Sequence, residues 1–220
     1  MTTPADATRG FVPPVGQLGF IGLIGVAYSA AAVVALHFLD TDLDPVEDFI
    51  SEYAVGDYGW LMKSAFFAVS CGTLAIAGGL RRSLRPSRRA TAAVVLMSLA
   101  GVGFFVAGIF DTDTPNASGD IDNAAAGVAH DFGSSVVFLS VIIAAFVLWG
   151  VFASDPPWHG LSRTALWFAI AMTMSRVVTL AIPEGGPVGL PQRVLAATMM
   201  IWLAILGWEM RRLAPTERST

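Results

Sequence analysis

Several ionisable side chains of this sequence lie at the ends of long apolar stretches, where partial burial can tune them for chemistry. His130 and Asp131 begin one such stretch, and Asp111 and Asp113 directly follow the stretch before it. Histidine and carboxylate groups that lie close together can exchange protons with a substrate, and burial adjusts their pKa values for that role. His130 with Asp113 or Glu52 is therefore a candidate acid–base pair.

Two arginines near the same ends could hold a ligand. Arg176 lies within the fifth apolar stretch and Arg193 opens the sixth. The forked donors of a guanidinium group suit a phosphate or a carboxylate. We predict a ligand site that contains Ser51, Glu52, Asp113, His130, Arg176 and Arg193. The competing interpretation is structural, because the two arginines could instead neutralise Asp113, Glu52 or Asp131 in ion pairs that fix helix register.

Other site chemistries have less support from the sequence. His37 and His130 are the histidines that could contribute to a metal site, but no HExxH or HxxxH spacing is present. We predict no cofactor, although a zinc site could still be assembled from His37 or His130 and carboxylates of separate helices. Ser51 beside Glu52 could act as a nucleophile with His130 as its base, but no GxSxG element supports such an arrangement.

The elements that must position these groups are six apolar stretches. Of the 220 residues, 55% are hydrophobic and 14% are charged, which lies outside the range of most soluble proteins. Each stretch is long enough to cross a hydrocarbon layer of about 30 Å as a helix. We predict an all-α transmembrane bundle over residues 13–213, flanked by disordered tails at 1–12 and 214–220, with spans at about 17–38, 59–80, 90–110, 127–153, 162–182 and 190–210.

Arginine placement predicts the orientation of the bundle. Five arginines lie between positions 81 and 89, and further arginines follow the sixth stretch. By the positive-inside rule these segments are cytoplasmic, so we expect both termini inside and the acidic connections outside a plasma membrane. The net charge of −4 averages two opposed faces and indicates no nucleic-acid partner.

The connection after the first stretch carries a helix-start pattern. Asp44 and Pro45 resemble an N-cap followed by an N1 proline, and Glu47 follows at N3. Val46, Phe49, Ile50 and Tyr53 then recur at helical spacing. We predict a short amphipathic helix on the outer surface, ending near residue 56.

Three sequence elements resemble a prokaryotic six-helix membrane family catalogued as domain of unknown function 998. They are Ile50-Ser51-Glu52-Tyr53-Ala54 with Gly59-Trp60-Leu61-Met62, then Ile109-Phe110-Asp111-Thr112-Asp113 with Gly127 and His130, and finally Gly189-Leu190 with Arg193. A more distant likeness is to Frag1/DRAM-type proteins. The resemblance implies the six-helix fold and a polar outer site, and it brings no reaction.

These observations favour a membrane protein that binds a polar or amphiphilic ligand, such as a lipid head group, in an outward-facing pocket. Glu52, Asp113, His130 and Arg193 would line this pocket, with Arg176 as its floor. One alternative is a lipid hydrolase or transferase that uses His130 with Asp113 or Glu52, so enzymatic activity stays open. A small transporter is the third. Membrane lipids are the expected partners, and no oligomeric state is predicted.

Overall fold

Six long helices account for most of the chain in a computed structural model that describes residues 14–113, 124–183 and 186–213. All six are long and apolar enough to cross a membrane. The six-helix bundle predicted from hydropathy is therefore confirmed, whereas the two predicted disordered tails lie outside the described residues. The helices are α1 Val15–Leu39, α2 Gly59–Ser83, α3 Arg88–Ile109, α4 Ala124–Ser154, α5 Ser162–Ala181 and α6 Gly189–Leu213.

The helices form a closed ring in chain order. Each helix packs against the next along the chain, and α6 returns to pack against α1. Exposed aliphatic and aromatic side chains cover the outer surface, as expected for helices that face lipid. The ring thus has an interior that is bounded by consecutive helices, with α1 and α6 meeting at its closing seam.

Glycines allow the closest helix contacts in the ring. A Cβ added at Gly25 of α1 would collide with the backbone of Ala68 on α2, and one added at Gly103 of α3 would collide with Gly133 of α4. At the closing seam, a Cβ on Gly19 would meet the carbonyl oxygen of Gly207. Close backbone approach of this kind is how small residues bind membrane helices together.

The two ends of the bundle differ in charge. We call the end that carries residues 40–58, 110–113 and 186–188 the acidic end, and the end that carries residues 81–89 and 154–161 the arginine-rich end. At the arginine-rich end, Asp155 is 3% exposed and its Oδ2 accepts a hydrogen bond from the Arg85 backbone N–H at 2.9 Å. This contact joins the α2–α3 connection to the α4–α5 connection.

The predicted amphipathic helix at the acidic end is only partly correct. Asp44 does cap a turn, because its Oδ1 accepts from the Val46 N–H at 2.7 Å. The chain then becomes extended at Phe49 and continues as a short 3₁₀ helix, Ile50–Ala54. Ile50 is buried while Val46 is exposed, so the apolar residues do not share one face. The break follows from hydrogen bonds made to distant side chains, which are described below.

Candidate functional site

A cavity of about 370 Å³ lies inside the ring near the acidic end. Five helices line it, and α5 does not contribute. Most lining side chains are aliphatic, phenylalanine or methionine, among them Val69, Phe104, Val137 and Met199. The polar residues in the lining are Ser29, His37, Ser51, Ser134, Gln192 and Arg193. We call this space the acidic-end cavity.

Residues 45–54, which we call the roof segment, cover the cavity, and α6 holds them in place. The Gln192 side-chain oxygen accepts from the Ile50 N–H at 2.7 Å, and the Leu190 N–H donates to the carbonyl of Val46 at 3.1 Å. Gly189 permits this approach because a Cβ there would collide with the Asp48 carbonyl oxygen. These contacts satisfy backbone groups that a continuous helix would have paired within itself.

Arg193 links the roof segment to α1. Its Nε–H donates to His37 Nε2 at 2.9 Å, and its Nη1 donates to the Asp48 carbonyl at 2.6 Å. His37 Nδ1 lies 2.6 Å from the carbonyl of Val33, which can only accept, so Nδ1 carries the proton. The other ring nitrogen is then free to accept from Arg193. The hydrogen bonds therefore select a neutral His37 as the partner of Arg193.

One nitrogen of the Arg193 guanidinium group makes no hydrogen bond to the described residues. This nitrogen, Nη2, is buried, and the salt bridges among the described residues do not include this arginine. Tyr53, which is fully buried, lies beneath the group at 5.9 Å from its ring centroid to Cζ. A buried cationic donor without a partner is costly, and Arg193 lines the cavity, so this group is suited to an acceptor that binds there.

Glu52 belongs to the roof segment but does not line the cavity. Its Oε1 accepts from the Phe49 N–H at 3.0 Å, within the first turn of the 3₁₀ helix. Burial raises the pKa of Glu52, while the hydrogen bond from Phe49 acts in the opposite direction. Its neighbour Ser51 lines the cavity. Ser51 thus forms part of the cavity wall, whereas Glu52 makes a hydrogen bond within the roof segment.

Arg176 does not form the floor of the cavity. It is half-buried on α5, and its Cζ stacks at 5.2 Å from the centroid of Phe138, whose ring is part of the cavity lining. The predicted ion pairs of Arg176 and Arg193 with Asp113, Glu52 or Asp131 are absent from the described residues. Arg176 therefore contacts the outside of the cavity wall.

His130 is a buried residue that fastens α4 to the end of α3. It is 1% exposed, and its Nδ1 lies 2.8 Å from the Phe110 carbonyl and 3.1 Å from the Ala107 carbonyl. Both acceptors belong to the end of a helix, where carbonyls lack partners further along the helix. The ring also packs edge-on against Phe66 at 5.8 Å. His130 does not line the cavity.

Asp113 lies on the same helix seam as His130, but the two are not hydrogen-bonded in the described part of the chain. The Asp113 carboxylate contacts Gly127, where any Cβ would overlap it. Asp111 forms a salt bridge of 2.7 Å with Lys63. Of the four residues expected to line one pocket, Arg193 lines the acidic-end cavity, whereas Glu52, Asp113 and His130 do not. His130 Nδ1 bonds to carbonyls at the end of α3, and Glu52 bonds to the Phe49 N–H within the roof segment.

The same geometry bears on the other chemistries considered. No described residues form a group of three or more histidine, cysteine, aspartate or glutamate side chains able to hold a metal ion. His37 is instead the hydrogen-bond partner of Arg193. Of the six predicted ligand residues, Ser51 and Arg193 line the acidic-end cavity, and the remaining four do not.

Gln192 and the small residues of α6 belong to the site but are not among the residues predicted from the sequence. Gln192 holds the roof segment and also lines the cavity. Ala196 and Ala197 line the cavity one turn further along α6. An amide beside an arginine at the start of an apolar stretch was the available signal for Gln192. The alanines carry no signal of their own, since a cavity arises from what they leave unfilled.

Comparison with known proteins gives a family without a described activity. No curated protein and no solved structure matches the chain. A match to the family described as "Protein of unknown function (DUF998)" extends over residues 23–209, which includes α2 to α5, most of α1 and α6, and the whole roof segment. The chain is a multi-span membrane protein that belongs to the DUF998 family.

Proposed function

We propose that this protein binds an amphiphilic molecule in the acidic-end cavity. The observation that carries the proposal is a largely apolar cavity of about 370 Å³ lined by Arg193, whose Nη2 has no hydrogen-bond partner among the described residues. Ligand sites commonly combine apolar walls with a few fixed polar groups, in volumes of roughly 300–1,000 Å³. The apolar part of the ligand would fill the space between the helices, and its polar part would face Arg193 and Ser51.

The proposed orientation places the cavity on the outer side of a plasma membrane. The arginines between residues 81 and 89 support this, because cytoplasmic connections carry an excess of such residues. The roof segment would then be external, and a ligand such as a membrane lipid would lie with its head group near the outer membrane surface. The site would then take up its ligand from the outer leaflet, where the ligand's head group lies.

A cavity-filling substitution tests the proposal. We expect Ala196→Trp to reduce the amphiphile that copurifies with the detergent-solubilised protein by about tenfold or more, because the indole ring occupies the ligand volume. Ala92→Trp is the matched control, since Ala92 is exposed on α3 and lines no part of the cavity. Bound molecules are extracted and quantified by mass spectrometry per mole of protein. Equal amounts in both variants, or no bound amphiphile in the unsubstituted protein, would contradict the proposal.

A further inference from the structure

The roof segment closes the acidic-end cavity from above. Three contacts with α6 hold it: the Ile50 N–H on Gln192, the Leu190 N–H on the Val46 carbonyl, and Arg193 on the Asp48 carbonyl. Ile50 and Ser51 themselves form part of the cavity lining. A ligand that entered along the membrane normal would have to break these bonds together.

The opposite end of the cavity is also closed. Towards the arginine-rich end, α1 and α6 approach so closely that a Cβ on Gly19 or on Gly207 would overlap the other helix. Large side chains such as Trp202 and Leu206 are fully buried between the cavity and that end. The interior is therefore packed below the cavity.

The seam between α1 and α6 is different at the level of the cavity. Ala30 and Val34 of α1 and Ala197 and Ile201 of α6 line the cavity and are also exposed. Val34 is 59% exposed and Ile201 is 54% exposed. The other residues of the lining are buried or half-buried, so the exposed part of the lining lies between α1 and α6. These four residues, which we call the lateral mouth, border a route between the cavity and the lipid.

The dimensions and charge of the cavity restrict its occupant. The cavity extends along α6 from Arg193 to Ile201, which corresponds to about 12 Å of helix rise. A volume of about 370 Å³ suits one hydrocarbon chain and is too small to enclose a lipid with two full-length chains. The Arg193 guanidinium group is cationic, its Nη2 has no hydrogen-bond partner among the described residues, and its neighbour His37 is neutral. A carboxylate or phosphate is the complementary head group.

The geometry points to a single-chain amphiphile with an anionic head group that enters from the membrane through the lateral mouth. This inference rests on the proposed function and adds the ligand class and the entry route. The head group moves towards Arg193, which offers the donor of a charge-assisted hydrogen bond. The chain follows into the apolar space between α1, α4 and α6.

Reversible closure of the mouth tests the route. In a Cys71→Ala background, Ala30→Cys with Ala197→Cys is crosslinked with bis-methanethiosulfonate reagents of graded length after loading with deuterated oleate. Exchange against unlabelled oleate, followed by mass spectrometry, should slow about tenfold or more and recover when the crosslink is reduced. The control pair Leu74→Cys with Val102→Cys bridges the α2–α3 seam, where both side chains are exposed and neither lines the cavity.

A second variant closes the mouth without a crosslink. Val34→Trp with Ile201→Trp places two indoles at the rim and should slow oleate exchange relative to Leu99→Trp with Val102→Trp on α3. The head-group requirement is measured separately with the unsubstituted protein, by comparing oleate and lysophosphatidic acid with uncharged monoolein. We expect both anionic probes to bind at least about tenfold more tightly than monoolein.

The outcomes distinguish a failure of this inference from a failure of the proposed function. Oleate that binds but exchanges equally fast in the closed and control variants overturns the lateral route and leaves the proposed function intact. Monoolein that binds as tightly as oleate overturns the anionic head group. Failure of every probe to bind the unsubstituted protein removes the proposed function as well.

Discussion

Replacement of His130 by alanine should destabilise the protein without removing its cavity. His130 is 1% exposed, and its Nδ1–H is shared between the carbonyls of Phe110 and Ala107. Losing a hydrogen bond costs about 1 kcal/mol, and leaving buried acceptors unpaired costs about 1–3 kcal/mol. The lost packing against Phe66 adds the cost of the void that the imidazole ring leaves behind. We expect His130→Ala to lower the free energy of unfolding by roughly 2–5 kcal/mol.

Two further substitutions identify the hydrogen bond as the cause. His130→Asn can place an amide N–H near the position of Nδ1, whereas His130→Gln carries its amide one bond too far. The asparagine variant should therefore retain clearly more stability than the glutamine and alanine variants. Equilibrium unfolding in mixed micelles of dodecyl maltoside and sodium dodecyl sulfate measures the differences. Amphiphile binding by the folded fraction should not change.

A different result would refute this account of His130. If His130→Ala changed stability by less than about 0.5 kcal/mol, the contacts with α3 would not be stabilising. If the variant kept its stability but lost amphiphile binding, His130 would belong to the ligand site, and the assignment of the cavity would be incorrect.

Two predictions concern the roof segment and the orientation. Burial raises the pKa of Glu52 in the folded protein, so stability should fall as the pH rises from about 4.3, the ordinary glutamate value, through the folded pKa. Thermal unfolding at graded pH measures this dependence. Glu52→Gln should remove it, whereas Glu47→Gln at the exposed neighbour should retain it. Reporter fusions after Arg89 and after Arg212 should be cytoplasmic and one after Asp120 should be external, and an external reporter after Arg89 would reverse the orientation.

The spans were predictable because hydropathy is local. Each helix needs about 20 apolar residues, and such a stretch is visible without knowledge of its neighbours. α2, for example, begins at Gly59, the residue at which the apolar pattern begins.

The roof segment was only partly predictable because its conformation depends on distant residues. The capping pattern at Asp44 is local, and the structure contains it. The partner of the Ile50 N–H, however, is a side chain 142 positions away, and His37 and Arg193 are 156 positions apart. These long-range hydrogen bonds favour a turn and a 3₁₀ helix over the continuous helix that residue spacing indicates.

The site was only partly predictable for a related reason. Similar depth predicts that ionisable residues converge, but depth does not determine which side of a helix a residue occupies. His130 faces the end of α3, and Arg176 faces the outside of Phe138. Arg193 faces the ring interior, where it meets His37. The residue types indicate which side chains need partners, but the orientation of each helix about its own axis determines which partners lie within reach.

The closing seam has a consequence for biosynthesis. Translation delivers α1 first and α6 last, and the ring is completed only when Gly207 reaches Gly19. Gln192 and Arg193, which hold the roof segment, also belong to the last helix. A nascent chain with five inserted helices therefore has neither a closed ring nor a secured roof segment, although residues 45–54 have long been synthesised. The cavity can therefore be enclosed only after α6 has been inserted beside α1.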